Sequence, residues 1–229
     1  MKKLVSNFLP FFLLFALPAE MFSQKISLGE FNALDVSDGI DIQLIIAKED
    51  AIDIEVENLE PGNVSYEISG MTLKLRVKKG FKKNAEVRVK LYYTSLNKII
   101  TSGRASVWSA EELYTGTINL NIGNGGETRL RIFSDSLYAI VAEGAILFIK
   151  GETEYLNVKA GTGATFSGYD FQSEEADVTA SSGGKAKIAV SKSLNATANS
   201  KGFIGYIGDP EKLDQSTSMG GEILKTYHE

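Results

Sequence analysis

Glycine recurs at Gly103, Gly125, Gly144, Gly163, Gly183, Gly202 and Gly221, at a nearly constant interval of about 20 residues. This regularity constrains the chain more than any other feature. The stretches leading into these glycines resemble one another: LNKIITSG, LYAIVAEG, LNVKAGTG, ADVTASSG and NATANSKG. Each unit has a small or apolar entry, an alternating run and a glycine corner. A unit of this size cannot bury its own core, so self-similarity at such a period implies a stack in which each unit leans on the next. The spacing predicts an all-β, single-chain β-solenoid with coils of about 19–20 residues over 96–224.

The runs after the corners alternate as strands do. Ala105 and Val107, then Thr128, Leu130 and Ile132, then Ile146 and Phe148, then Ala186, Ile188 and Val190, then Ile204 and Tyr206 are expected to form an interior column. On this reading Phe148 and Phe166 point inward on adjacent coils, while Lys150 and Lys159 face solvent. Ala160, Ala180 and Ala198 suit a narrow cross-section. Gly163 and Gly183 are expected to hold positive φ, which other residues reach only with strain. With strands about 4.8 Å apart, six or seven turns make a rod of roughly 30 Å. Residues 24–95 also alternate with period two, as in Ile40, Ile42, Leu44 and Ile46, but without the longer repeat. They read as less regular opening coils of the same domain, which spans 24–229, or as a small sandwich fused to it.

The N-terminus reads as a targeting segment. Lys2 and Lys3 precede the apolar run FLPFFLLFAL, Phe8 to Leu17, which is too short to span a bilayer but suited to a signal peptide. Ala19 and Ser23 are both small enough to precede the cut, and cleavage after Ser23, removing residues 1–23 and leaving Gln24 first, is the favoured expectation. No later segment reaches the roughly 20 apolar residues of a membrane helix. The mature chain is expected in the periplasm, at the outer-membrane surface or outside the cell.

Composition excludes several chemistries. The chain has no cysteine, so disulfides, thiol catalysis and thiolate metal sites are out. Its single histidine is His228, next to last, a poor basis for an imidazole metal or acid/base site. A net charge of −5 supplies no general basic field for nucleic acid. No phosphate-binding glycine loop opens a helix, and no cofactor or metal is expected.

Two surfaces invite a binding role. Lys78, Lys79, Lys82 and Lys83 surround Phe81 between two predicted strands, a basic loop that suits phosphate or an acidic glycan; the plainer reading is a solvated hairpin tip. Tyr114, Tyr138 and Tyr155 fall at similar places after Gly103, Gly125 and Gly144 and could stack against sugar rings, or simply form an aromatic ladder within the sheet. Paired carboxylates would mark a polysaccharide-cleaving enzyme. Glu152 and Glu154 share one strand face, and Asp170, Glu174, Glu175 and Asp177 follow a unit later.

The corners TSG, GTG and SSG, the isolated Gly151, Gly168 and Gly208, the closing GFIGYIGDP (Gly202 to Pro210) with Met219-Gly220-Gly221, and the opening FNALDVSDGIDIQL (Phe31 to Leu44) together resemble the putative auto-transporter adhesin, head GIN domain family. The resemblance covers nearly all of the chain after residue 23. It implies an exported, β-helical envelope protein concerned with adhesion, and it supplies no catalytic residue to carry over. Asn124-Gly125-Gly126 and Glu143-Gly144 depart from the family's serine-glycine corner. The reading is a non-enzymatic binding or adhesion module of the cell envelope, with a surface glycan or envelope protein as partner. A carbohydrate-active enzyme and a structural or assembly protein are the alternatives.

Overall fold

The computed structural model describes residues 25–78 and 84–227. Strand makes up 69% of the structure, no α-helix forms among the described residues, and the coils stack as a β-solenoid of about seven turns. No helix among those residues is long and apolar enough to cross a membrane.

The regular part rests on five long strands: β9 (Ser106–Ile122), β10 (Glu127–Val141), β11 (Ile146–Ala160), β12 (Thr165–Ala180) and β13 (Lys185–Ala198). Each pairs in parallel with the next. All five bend midway. The first half of β13 pairs with β14 (Phe203–Ile207) and its second half with β15 (Lys212–Thr217); β14 in turn pairs with β16 (Glu222–Lys225). One continuous sheet is thus folded over on itself, with a first layer before each bend and a second layer after it. The sheet extends backwards through β3 (Asp41–Ile46) and β7 (Glu86–Tyr93) in the first layer. In the second layer it runs through β8 (Lys98–Thr101), β2 (Ala33–Val36) and β6 (Thr72–Val77). Three antiparallel strands, β1 (Ile26–Ser27), β4 (Ala51–Glu57) and β5 (Val64–Ser69), close this end.

Opposite the bends, each second-layer half returns to the next coil through two consecutive residues at positive φ. These are Asn124-Gly125, Glu143-Gly144, Thr162-Gly163 and Ser182-Gly183 in the central coils. Gly163 and Gly183 hold φ of 70° and 73° as expected. The turns also bond to one another: the Gly144 amide donates to the Thr162 carbonyl at 3.0 Å and the Gly163 amide to the Ser182 carbonyl at 3.1 Å.

The glycine ladder is not uniform in role. Gly103 is the first residue of its turn, paired with Arg104, whereas Gly202 and Gly221 follow turns made by Ser200-Lys201 and Met219-Gly220. Gly202 is required for a different reason: a Cβ there would run into the Ala180 carbonyl of the preceding coil.

This offset corrects one part of the interior column. Gly144 is the second turn residue, as Gly125 is, so beyond the buried Ala145 the first inward residue of the strand stands three positions on: Leu147, matching Thr128. Leu147 and Ile149 are buried, Ile146 is only partly covered, and Phe148 faces out, 36% exposed. A one-residue slip moves every side chain of a strand to the other face. Phe166 is inward and fully buried, and the alanines Ala160, Ala180 and Ala198 are buried as well. Pairing large side chains after the turn with alanines before it keeps the two layers close without voids.

The far end is blunted by polarity. Gln215 and Thr217 continue the columns of Ala196 and Ala198, and Lys225 continues that of Tyr206 and pairs with Asp209. Inward-pointing polar and charged residues discourage further strand addition at an open edge.

Two outcomes are expected. In urea titrations Phe166→Ala lowers stability by about 3–5 kcal/mol through lost burial and a cavity, whereas Phe148→Ala changes it by less than about 1 kcal/mol. Tyr93 is 3% exposed, and its hydroxyl has no hydrogen-bond partner among the described residues. Burial, helped by the Glu111 carboxylate, pushes its phenol up to about 12. The folded state therefore favours the neutral ring over an unfolded chain titrating near 10, so this contribution is complete below pH 10 and is lost as the pH rises towards 12. Tyr93→Phe is expected to flatten that alkaline loss in denaturation curves taken at successive pH values.

Candidate functional site

At the bends the parallel register breaks: between Arg129 and Arg131, between Phe148 and Gly151, and between Gly168 and Gln172. Irregular pairing opens the strand edge, and β-bulges commonly re-aim side chains at such places. A groove of about 660 Å³ runs along the bends of β9 to β13.

One wall of the groove is aromatic. Tyr114 on β9, 69% exposed, stacks on Phe133 of β10 with ring centroids 5.0 Å apart and planes 13° from parallel. The tyrosine is anchored by its hydroxyl, which donates to Glu112 Oε2 at 2.6 Å, while Arg131 Nη1 donates to Glu112 Oε1 at 3.2 Å. The bond from Tyr114, then that from Arg131, holds the Glu112 carboxyl below its ordinary range, and the same bond raises the Tyr114 phenol. At pH 7 the two side chains are thus a neutral donor and a charged acceptor, a pairing that fixes the ring's orientation.

The floor is a row of hydroxyls. Ser134 donates to Thr153 Oγ1 at 3.1 Å, Thr153 donates to the Tyr155 carbonyl at 3.1 Å, and Ser173 donates to the Ala189 carbonyl at 2.7 Å. Asp135, Glu152, Glu154 and Glu174 complete the lining, and Lys192 holds Glu174 at 2.6 Å. An aromatic face beside fixed hydroxyls and carboxylates can take the C–H face of a sugar ring and accept from its hydroxyl groups.

The three tyrosines do not share one column. Tyr138 is on the outer face of the second layer, in register with Asn119 and Asn157. Tyr155 is in register with Ser136 and Glu175 and donates to Asp177 Oδ2 at 2.6 Å, a bond that raises its phenol. The rings of Tyr138 and Tyr155 meet at 5.9 Å, tilted by 59°. Tyr138 stands further along the chain from Gly125 than Tyr114 does from Gly103 or Tyr155 from Gly144, and that unequal offset sets it apart; Tyr114 and Tyr155 part because Gly103 is first in its turn and Gly144 second, and because the register shifts at the bend. Phe133, absent from the sequence-based candidates, lies one coil beyond Tyr114 and directly in register with it, so the period itself leads to it.

The carboxylates also divide. Glu152, Glu154 and Glu174 reach the groove. Asp170 pairs with Lys150 at 2.9 Å on the first layer, and Asp177 accepts from Tyr155 and Asn195 on the second. Lys78 is exposed beyond β6, its amide donating to the Asn63 carbonyl at 2.7 Å. Lys79, Phe81, Lys82 and Lys83 lie outside the described residues, as do residues 1–23, read above as a targeting segment, and His228. Among the described residues no three His, Cys, Asp or Glu side chains gather as a metal site.

Comparison with solved structures places the fold among proteins from Bacteroides and Parabacteroides. A putative adhesin from Bacteroides fragilis NCTC 9343 superposes with a TM-score of 0.78 at 16% identity, covering 88% of this chain and 94% of its own. A putative adhesin from Parabacteroides merdae ATCC 43184 gives 0.73 at 18% identity, covering 90% and 95%. A putative lipid binding protein from Parabacteroides distasonis ATCC 8503 gives 0.69 at 19% identity, covering 90% and 96%. No curated protein matches the sequence. The sequence itself matches a family over residues 30–210, which is most of its length: the chain belongs to the family described as Putative auto-transporter adhesin, head GIN domain.

Proposed function

We propose that this protein is an exported binding module of the cell envelope that holds a glycan in the groove along its bends. The observation that carries the reading is the Tyr114–Phe133 stack, fixed from behind by Glu112 and opening onto hydroxyls and carboxylates. Membership of a family described as adhesins agrees with it. Residues 1–23 act as the signal peptide in this proposal, so mass spectrometry of protein recovered from cells is expected to find a chain beginning near Gln24; an intact Met1 would contradict export by this route.

A second reading follows from the carboxylates of the groove. Glu152 and Glu154 both face out from β11, about 7 Å apart along an extended strand, a separation within the range used by inverting glycosidases. The ion pair of Glu174 with Lys192 and the exposed setting of the groove favour recognition over hydrolysis.

A glycan array probed with the purified protein separates the readings. Binding without turnover is expected, and Tyr114→Ala and Phe133→Ala are each expected to weaken the best glycan about tenfold while leaving the melting temperature within a few degrees of wild type. Release of oligosaccharide, abolished by Glu154→Gln, would replace the binding reading with the enzymatic one. Unchanged affinity in both aromatic variants would move the site away from the groove.

A further inference from the structure

The outer face of the first layer carries a feature unrelated to the bend groove. The register of the parallel strands places Lys90 of β7, Gln43 of β3, Trp108 of β9, Arg129 of β10, Phe148 of β11, Ser167 of β12 and Lys187 of β13 in one outward column. Seven strands at about 4.8 Å make a track about 29 Å long, with a cation at each end and one in the middle. The cations are evenly set, three strands apart, or about 14 Å. Aromatic rings stand beside the central one: Trp108 precedes Arg129, and the Arg129 guanidinium lies 4.9 Å from the centroid of the Phe148 ring that follows it. Lys187 Nζ is 5.7 Å from the Tyr169 ring.

The track is concave in two places. Lys90, Gln43 and Trp108 line a hollow of about 90 Å³. Arg129, Phe148, Tyr169, Arg131 and Lys150 line a groove of about 530 Å³, where Arg131 and Lys150 are register neighbours. Five basic side chains therefore line or flank the column of a protein whose net charge is −5.

We infer that this column binds a linear sugar chain bearing carboxylates, lying along the axis of the rod. The rings supply faces for sugar C–H groups, and the cations supply partners for carboxylates at intervals that only a polymer can meet together. A single lipid headgroup would engage one third of the track. Four of these five basic side chains have carboxylate neighbours, Lys90 with Glu55 at 3.2 Å, Arg129 with Glu127 at 2.7 Å, Arg131 with Glu112 at 3.2 Å and Lys150 with Asp170 at 2.9 Å, but these pairs are solvent-exposed. Such pairs contribute little and exchange readily. Arg129 uses Nη2 towards Glu127, and a guanidinium has five N–H donors in a planar fork suited to a second carboxylate.

The test is calorimetric titration of the whole mature protein with an oligogalacturonate of about ten sugars, a trimer of the same sugar, neutral dextran of matched length, and phosphatidylglycerol vesicles. The decamer is expected to bind at low salt and to weaken as salt rises, the trimer at least tenfold more weakly, and dextran and vesicles not measurably. The triple variant Lys90→Gln, Arg129→Gln, Lys187→Gln is expected to lose at least tenfold in affinity with an unchanged melting temperature. Phe148→Ala, which leaves the charges in place, is expected to weaken the decamer several-fold. Lys159→Gln, on the outer face of the second layer, is expected to bind as wild type. Equal affinity for trimer and decamer, an unaffected triple variant, or binding of vesicles without binding of the decamer would each overturn the inference.

Discussion

Between one coil and the next the chain reverses through two residues at positive φ, and the rod depends on that reversal repeating unchanged. The amide of each turn donates to the carbonyl of the turn above it, as Gly125 does to Glu143, Gly144 to Thr162 and Gly183 to Ser200. A turn one residue longer would leave those donors unmatched and would rotate the following strand's apolar residues towards solvent. Left-handed backbone costs a non-glycine residue about 1–2 kcal/mol, yet the first position of the central turns is Asn, Glu, Thr or Ser. Those penalties are tolerated because both neighbouring coils fix the same geometry.

The bend edge obeys a looser rule, and that difference decides where the groove forms. On the turn edge the stacked hydrogen bonds allow no variation, whereas the bends absorb register shifts in the β9–β10, β11–β12 and β12–β13 pairs. Each shift re-aims a few side chains while the inward columns on either side continue. The groove thus has a rigid back wall of buried strand and a lip on which Tyr114, Phe133 and the carboxylates can vary without disturbing the core. Binding positions placed on the irregular parts of a rigid scaffold are the usual arrangement in globular proteins.

Periodicity made the architecture legible from the sequence, because a glycine-marked repeat with alternating apolar positions between its corners has few other solutions. The same periodicity misled locally where the glycine taken as a marker stood at a different place in its turn. Gly144 placed Phe148 inside when Leu147 belongs there, and Gly202 served as a corner although Ser200 and Lys201 make that turn. A glycine required by φ and a glycine required by a close backbone contact look identical as letters. The site was half legible. Tyr114 and the pair Glu152 and Glu154 stood out by residue type, and Tyr114, Phe133 and Glu152 line up in unbroken register; what the letters do not show is where each strand bends, which sets Asp170 beside Lys150 and leaves Asp177 in the regular register of the second layer. The Lys90-to-Lys187 column was hidden because whole coils of intervening sequence separate its successive charges.

Because the strands run across the rod, the hydrogen bonds between coils point along its length. Tension applied through an outer layer would therefore stretch all the bonds of an inter-coil contact at once. Tension entering at the C-terminal end meets a different situation: β16 is held by β14 and β15 by β13, both short and exposed, and they can be peeled away one bond after another. The protein's resistance to mechanical load thus has a direction, high when the load is applied across the face of the rod and low when it enters through β15 and β16.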